Sequence, residues 1–397
     1  MAARHAVVSG GSIAGLSVAW WLTRTGWRVT LVERAASFRD GGQNVDVRGV
    51  AHEVLDRMGL TEAIAAQNTT ETGTVLLRED GSELAELPSD GPDGATAELE
   101  VLRGDFARTI FDALPDGVET VYDDVVEAVE ERPDGVLVRL ASGRELGTDL
   151  LVVAEGVRSS TRDLLFDDVD ARDLGITMAF GTIPRTPDDD SRWRWLTTVR
   201  GRQVHLRPDN HGTTRAILAY AGDEDVTRLE RPDLMRRLRG VYADAGWQAP
   251  RVLDGFEGSD DLYVDRLTQV RMPTWHRGRV VLAGDAGWCV TPMGGGGASL
   301  ALTSGYVLAA YLSSHAEDDV EGALAAYEEW MRPLVDDVQS LPPGIDKLAY
   351  PRTALGLKLH DLVIKATTRP PLSKLAARIT QVAGTDQELP ALQATVA

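Results

Sequence analysis

Three short turns of small residues hold the side chains of this 397-residue chain best suited to chemistry. The first, Gly10-Gly11-Ser12-Ile13-Ala14-Gly15, follows the apolar run Ala6-Val7-Val8. Glu33 stands about twenty residues past it, where a dinucleotide fold puts its ribose-binding carboxylate. A helix opened by such a turn offers free N–H groups and a positive dipole end to a pyrophosphate, and small residues let the backbone come close. Ser12 occupies the place of the second glycine in Gly-x-Gly-x-x-Gly; serine is small and can donate to phosphate, so the fit is loosened rather than lost. An ordinary β-α-β turn without a ligand is the alternative. The second turn is Ala154-Glu155-Gly156, after the buried-strand run Leu150–Val153. The third starts at Gly284-Asp285 and passes through Trp288, Cys289, Pro292 and Met293 to the consecutive glycines Gly294, Gly295, Gly296 and Gly297. Such a run loses much entropy on folding, and a ligand lying against the backbone explains it better than packing does.

The elements that must position these turns follow from periodicity. Leu16, Ala19, Trp20, Leu22 and Thr23 fall at helical spacing, Gly26 closes that helix, and Val29–Val32 is a second strand ending at Glu33. Residues 39–49, including Gln43 and Arg48, read as a glycine-rich loop placed to meet the same ligand. Val50–Met58 is a helix, Val75–Leu87 a hairpin turning at Glu79-Asp80-Gly81-Ser82, and Phe106–Leu114 an amphipathic helix. Val118–Tyr122, Val125–Glu130 and Val136–Leu140 are short strands, and Ser159 is a helix cap. Ile176–Ile183, Trp193–Val199, Gln203–Arg207, Thr214–Tyr220 and Leu262–Val270 alternate at period two, with Leu234–Ala245 the one clear helix among them. Helices follow over Ala298–Leu312 and Glu317–Met331. From about Pro351 a basic amphipathic helix carries Lys358, Lys365, Lys374 and Arg378. It is expected to pack across both domains, a membrane-surface role being the alternative.

Composition excludes several classes. A net charge of −20 would repel nucleic acid. The seven histidines show no metal-ligand spacing, so no metal is expected, and no Ser/His/Asp arrangement is visible. Cys289 is the single cysteine, which rules out an internal disulfide; it reads as a small buried apolar residue. No signal peptide is read and no apolar stretch approaches the roughly 20 residues of a membrane span, so the default location is cytoplasmic.

In this order the three turns resemble the single-component FAD-dependent aromatic hydroxylases, the family of para-hydroxybenzoate hydroxylase. The shorter two-domain members, including the tetracycline-inactivating monooxygenases, fit best, over roughly residues 4 to 335. The resemblance implies an α/β fold: a Rossmann-like FAD-binding domain, an inserted, mostly antiparallel β-sheet substrate domain, and a C-terminal helix. The FAD-binding domain would comprise residues 1–72, 101–172 and 273–340; the substrate domain, a hairpin at 73–100 and a sheet at 173–272; the helical segment, 341–397. Gly10, Ser12 and Gly15, with Ile13 and Ala14 between, would hold the FAD pyrophosphate. Glu33 would hold the adenosine ribose, Arg34 would flank the adenine, and Arg103 would reach the ribityl–phosphate chain. Gln43 and Arg48 would touch the same cofactor, and Gly284 would turn the chain so that Asp285 bonds a ribityl hydroxyl. Pro292 and Gly294–Gly297 would lie beside the isoalloxazine, with the Ala298 helix aimed at its N1–C2 edge, where reduced flavin is negative. Glu155 and Gly156 would make contacts shared by FAD and a transient NADPH or NADH. Glu155 replaces the usual aspartate, and Trp288 stands where histidine is frequent.

The implied reaction is hydroxylation or epoxidation of an aromatic or polycyclic small molecule by a flavin C4a-hydroperoxide made from O₂, which would need no dedicated catalytic residue, in a monomer or weak homodimer. Pocket candidates are Met178 and Phe180, Trp193 and Trp195, and Trp288, Pro292, Met293 and Gly294; each could equally be a core residue. His205 and Arg215 could bind a phenolate or be solvated strand residues. A halogenase is disfavoured because no lysine precedes Lys347 and Trp193-Arg194-Trp195 is followed by Leu196-Thr197-Thr198, not Trp-x-Trp-x-Ile-Pro. A flavin oxidase, dehydrogenase or reductase of the same fold, and a flavoprotein that only sequesters a ligand, remain rivals.

Overall fold

A computed structural model of the chain describes residues 3–39, 41–88, 99–290, 295–340, 344–368 and 387–393. Its first sheet comprises β1 (His5–Ser9), β2 (Arg28–Glu33), β7 (Val118–Tyr122), β11 (Leu150–Val153), β17 (His276–Arg277) and β18 (Val280–Leu282). They stand in the order β17-β18-β11-β1-β2-β7, parallel throughout except for the β17–β18 edge. Helices cover the sheet, so its central strands are apolar runs rather than alternating ones: β1 and β11 are buried at every position.

Two helices point their N-termini at the end of this sheet. α1 (Ile13–Arg24) leaves β1 through the first glycine turn and stops at Thr25-Gly26, where Gly26 has φ +87°. α9 (Gly297–Ser314) is buried nearly all round, as a core helix must be to carry so little polar surface. The two cross at Gly305. A Cβ added there would lie 2.3 Å from Ser17 Oγ and 2.5 Å from Ser17 C, so only glycine permits the approach. Ser17 Oγ donates to Leu302 O at 2.6 Å across the same crossing.

The second large sheet has the order β16-β12-β15-β14-β13-β4-β5. Its strands are β4 (Gly73–Leu77), β5 (Glu83–Pro88), β12 (Asp170–Ile183), β13 (Trp193–Thr198), β14 (Arg202–Pro208), β15 (Thr214–Ala221) and β16 (Tyr263–Arg271). Every pairing is antiparallel except β4 with β13. One face packs Val75, Ala179, Leu196, Val204 and Leu218 against α6 (Arg231–Val241) and α7 (Ala249–Gly258). Period two then sends the alternate residues to the opposite face, toward the first sheet.

Smaller elements complete the frame: β8 (Val126–Arg132), β9 (Gly135–Leu140) and β10 (Glu145–Thr148) form one sheet, β3 (Asn44–Val47) and β6 (Leu99–Leu102) another. The remaining helices are α2 (Val50–Met58), α3 (Thr61–Ala65), α4 (Arg103–Asp112), α5 (Ser160–Leu165), α8 (Asp285–Trp288), α10 (Val320–Gln339), α11 (Ile345–Ala349) and α12 (Ala354–Thr367). Among the described residues no helix is long and apolar enough to cross a membrane.

Three expectations need correcting. The 39–49 loop contains a strand, β3, because Asn44–Val47 pairs with the distant Leu99–Leu102. A second helix, α7, stands between the strands of the large sheet; Gly255 and Gly258 weaken its helical signal, and Gly255 is needed because a Cβ there would meet Ile183 Cγ2 at 2.5 Å. β12 begins at Asp170 rather than Ile176, since Asp170–Asp173 are exposed on both faces and show no alternation. Lys374 and Arg378 lie outside the described residues.

Candidate active site

A cleft of about 2600 Å³ opens between the two large sheets. Sites for one small molecule usually occupy about 300–1,000 Å³, so this cleft has room for more than one ligand.

At one end lie the glycine turn and Glu33. Gly10 has φ +108°, and a Cβ there would sit 2.2 Å from Ala154 O. The first and second turns are therefore packed backbone to backbone. Ser12 N-caps α1 without a side-chain capping bond, and the first turn holds no carboxylate. The amides that begin α1 thus stay available to an anion, and Ser12, Ile13 and Ala14 all line the cleft. A cation is already at hand: Arg103 Nη2 donates to Ser12 Oγ at 2.8 Å. Glu33 accepts from Gly11 N at 2.8 Å and Ala35 N at 2.9 Å, which fixes its carboxylate and leaves acceptor capacity for a hydroxyl. Arg34 lines the wall beside it. Gly15 does not reach the cleft; it lets α1 pass Gly10, whose oxygen would stand 1.8 Å from an added Cβ.

The third turn arrives from the opposite side. Asp285 opens into the cleft, where surrounding protein desolvates its carboxyl and pushes its pKa up; nearby Arg103 opposes that shift, Asp265 adds to it, and the Cys289 side chain hydrogen-bonds it. Cys289 is buried as expected, yet this contact makes it more than an apolar filler. Gly284 lies behind, where a Cβ would meet Ala14 Cβ at 2.7 Å. Gly295, Gly296, Gly297 and Ala298 line the cleft at the start of α9, whose first turn also lacks a carboxylate and a side-chain cap. Pro292, Met293 and Gly294 lie outside the described residues.

In the middle turn Glu155 and Gly156 both line the cleft. The Glu155 carboxylate is also tied to the framework, accepting from Ser9 Oγ at 2.5 Å, Ser159 Oγ at 2.7 Å, Thr161 N at 3.0 Å and Thr161 Oγ1 at 2.6 Å. Gln43 accepts from Tyr263 OH, which ties the loop after β2 to the large sheet. Arg48 pairs with Asp46 at 3.1 Å and its backbone N donates to Ser299 Oγ at 2.9 Å, holding the same loop against α9.

At the other end the large sheet presents an aromatic wall. Met178, Phe180, Trp193, Trp195 and His205 line it, with Trp193 and Trp195 stacked at 5.1 Å and Trp195 on His205 at 4.5 Å. His205 is not placed to bind a phenolate. Trp193 Nε1 donates to its Nδ1 at 3.2 Å, so the ring is the Nε2–H tautomer and donates to Gln203 Oε1 at 3.1 Å. Burial, helped by the Arg207 charge, holds its pKa down to about 3. Arg215 is also spoken for, with Asp209 at 3.1 Å and Asp261 at 3.0 Å; Asp261 lines the cleft and Arg215 does not. Trp288 belongs to the core: its ring packs on Trp275 at 4.4 Å and it does not line the cleft.

Several lining residues escape the sequence reading. Tyr263 stacks on Phe180 at 4.9 Å, and period two along β16 could have revealed it. Thr74 and Leu76 join the wall only because β4 pairs with β13. Arg207 lies 4.0 Å over the Trp193 ring and reaches two buried acids, Glu71 at 3.0 Å and Glu100 at 2.7 Å. Burial, with Glu100 and Asp46 adding to it against the pull of Arg207, pushes the Glu71 carboxyl up to about 8.

A parallel sheet with two helix N-termini on glycine turns faces an antiparallel sheet across one cleft, the frame of a dinucleotide-binding protein with room for a second ligand. The chain belongs to the FAD binding domain family, which matches residues 4–340. It is 32% identical over 392 residues to the flavin-dependent monooxygenase eupH of Phoma sp., covering 90% of each chain. The crystal structure of tetracycline destructase Tet(51) superposes with a TM-score of 0.80 at 27% identity, covering 98% of this chain and 99% of that one. Klebsiella pneumoniae HpxO complexed with FAD and uric acid shares the fold, with a TM-score of 0.80 at 19% identity over 95% and 96% of the chains. The protein is a flavin-dependent monooxygenase of the class A type, with FAD as cofactor and a small molecule and O₂ as reactants.

Proposed function

We propose that the protein uses NADPH or NADH and O₂ to hydroxylate a planar aromatic or polycyclic molecule held against the Trp193–Trp195 wall. The single observation that carries this reading is one continuous cleft, lined by two uncapped helix N-termini at one end and stacked aromatic rings at the other.

The residues present fit FAD. The α1 amides, Ser12 and Arg103 would hold the pyrophosphate, Glu33 the adenosine ribose, and Asp285 a ribityl hydroxyl. The start of α9 at Gly295–Ala298 would face the flavin, where its positive end stabilises negative charge. When bound, FAD supplies the redox chemistry: electrons from the nicotinamide cofactor and transfer of one oxygen atom from O₂ to substrate. This chain's own part is to orient the substrate ring on Phe180, Trp193 and Trp195 and to keep water away from it. His205 offers no proton transfer at the wall, both its nitrogens being engaged.

The test uses FAD-loaded protein with each nicotinamide cofactor under ¹⁸O₂, against aromatic polyketides, phenols and indoles. Substrate-stimulated NAD(P)H oxidation with one ¹⁸O in the product is the expected result. An oxidised product without ¹⁸O would instead identify an oxidase or dehydrogenase.

A further inference from the structure

α12 has two apolar faces, and the fold uses one. Inward, Leu357 and His360 are buried, and His360, Ile364 and Thr367 line the cleft. Outward, Leu355, Leu359 and Leu362 are 79%, 55% and 64% exposed, the three most exposed large hydrophobic side chains among the described residues. Their i, i+4, i+7 spacing sets them in one stripe. Lys358 and Lys365, both exposed, fall on one edge of that stripe at about 100° per residue. The four lysines of the chain all lie between positions 347 and 374, in a protein whose net charge is −20. Asp361, the acid of this helix, stands on the lysine edge, three residues past Lys358 and four before Lys365, and its carboxylate is bonded to His360 Nδ1 at 3.1 Å.

The stripe is presented firmly. Arg200 N donates to Arg352 O at 3.1 Å and Gly201 N to Pro351 O at 2.9 Å, pinning the helix root to the β13–β14 turn. The Thr353 side chain then caps α12 by accepting from Gly356 N.

We infer that α12 docks the protein onto an anionic lipid bilayer, with the leucines at the acyl boundary and Lys358 and Lys365 against the headgroups. Charge decides between occupants. A second copy packed antiparallel about a two-fold on this stripe would set the same lysines near one another, whereas anionic headgroups complement them. The overall negative charge does not forbid contact, because exposed charges more than about 10 Å away are screened at 0.1 M salt. Since the inner face of α12 walls the cleft, docking brings the aromatic wall to within one helix of the lipid, a route for a lipophilic ring system.

The experiment is co-sedimentation of the full-length FAD-loaded protein with vesicles of phosphatidylcholine alone or mixed with phosphatidylglycerol, at low and high salt. Binding should require phosphatidylglycerol, weaken with salt, and fall by about tenfold or more in Lys358→Glu/Lys365→Glu. Leu355→Ser/Leu359→Ser/Leu362→Ser should lose binding while keeping its flavin content and melting temperature. Three results would each overturn the inference. The first is wild type that does not sediment with phosphatidylglycerol vesicles. The second is a serine variant that melts lower and sheds flavin, which means the stripe is covered by the chain itself. The third is a dimer in light scattering that the serine variant converts to monomer, with no vesicle binding.

Discussion

Trp193 Nε1 donates to His205 Nδ1 at 3.2 Å, and this contact sets the character of the substrate end of the cleft. It fixes the imidazole tautomer, whose Nε2–H then donates to Gln203 Oε1; Gln203 Nε2 in turn donates to Ala349 O at 2.8 Å. The chain of donors runs one way, from β13 through β14 to α11. His205 is a positioning residue for the two tryptophans.

It follows that His205 should not titrate between pH 5 and 8. Its folded pKa is depressed, so its contribution to stability is present above the unfolded value near 6.5 and is lost as pH falls toward about 3. Nitrogen-15 NMR should find the neutral Nε2–H tautomer at pH 5. His205→Phe leaves the Trp193 N–H and Gln203 Oε1 without partners and should cost about 2 kcal/mol or more at neutral pH. A ring that protonates with an ordinary histidine pKa would contradict the assignment.

The α1–α9 crossing should tolerate little change at Gly305. Gly305→Ala meets Ser17 backbone and should destabilise by about 1–3 kcal/mol; Gly305→Val should do so more strongly. Both helix N-termini face the cleft, so separating them should also weaken FAD binding. Thermal melts with and without FAD measure the two effects, and an unchanged melt for Gly305→Val would refute the packing argument.

Asp285 and Glu155 should behave oppositely, though both are acids in turns of the cleft. Asp285 opens into the cleft, so Asp285→Ala should weaken FAD by tenfold to a hundredfold, as loss of a charge-assisted bond worth about 1.5–3 kcal/mol implies, with little loss of apoprotein stability. Glu155→Ala strands donors on Ser9, Ser159 and Thr161 and should cost apoprotein stability first, by about 2–4 kcal/mol. Flavin titration and denaturant melts of the two variants separate these outcomes.

Glu71 should make the protein less stable in alkali. Its folded pKa is raised to about 8, so its contribution is fully present below the unfolded value near 4.5 and is lost as pH rises through about 8. Glu71→Gln leaves Arg207 with Glu100 as its one buried carboxylate partner, and its melting temperature should stay flatter than wild type between about pH 5 and 8. Parallel slopes for the two proteins would rule out the mechanism.

Much of the cofactor half was legible from local sequence. β1, the glycine turn, α1 and β2 depend on neighbouring residues, and Glu33 reaches the cleft because it ends a strand that starts beside the turn. Val50–Met58 and the Ser159 cap are equally local: an amphipathic period, and a hydroxyl within reach of Arg162 N. Spacing alone carries such features, because helix and turn hydrogen bonds close within a few residues.

The substrate half was decided by distant partners. Trp193 and Trp195 were visible as a period-two pair, but the parallel pairing with β4 that adds Thr74 and Leu76 to their wall was not. His205 and Arg215 looked alike on adjacent strands; one is sealed between Trp193 and Gln203, the other between Asp209 and Asp261. Trp288 follows Asp285 by three residues yet turns to Trp275. Glu155 lines the cleft, yet its carboxylate is held by Ser9 and Thr161, which spacing did not reveal. A polar or aromatic side chain goes to whichever partner saves it the most desolvation, and for these residues that partner lies on another strand, set by the register of the sheet rather than by spacing along the chain.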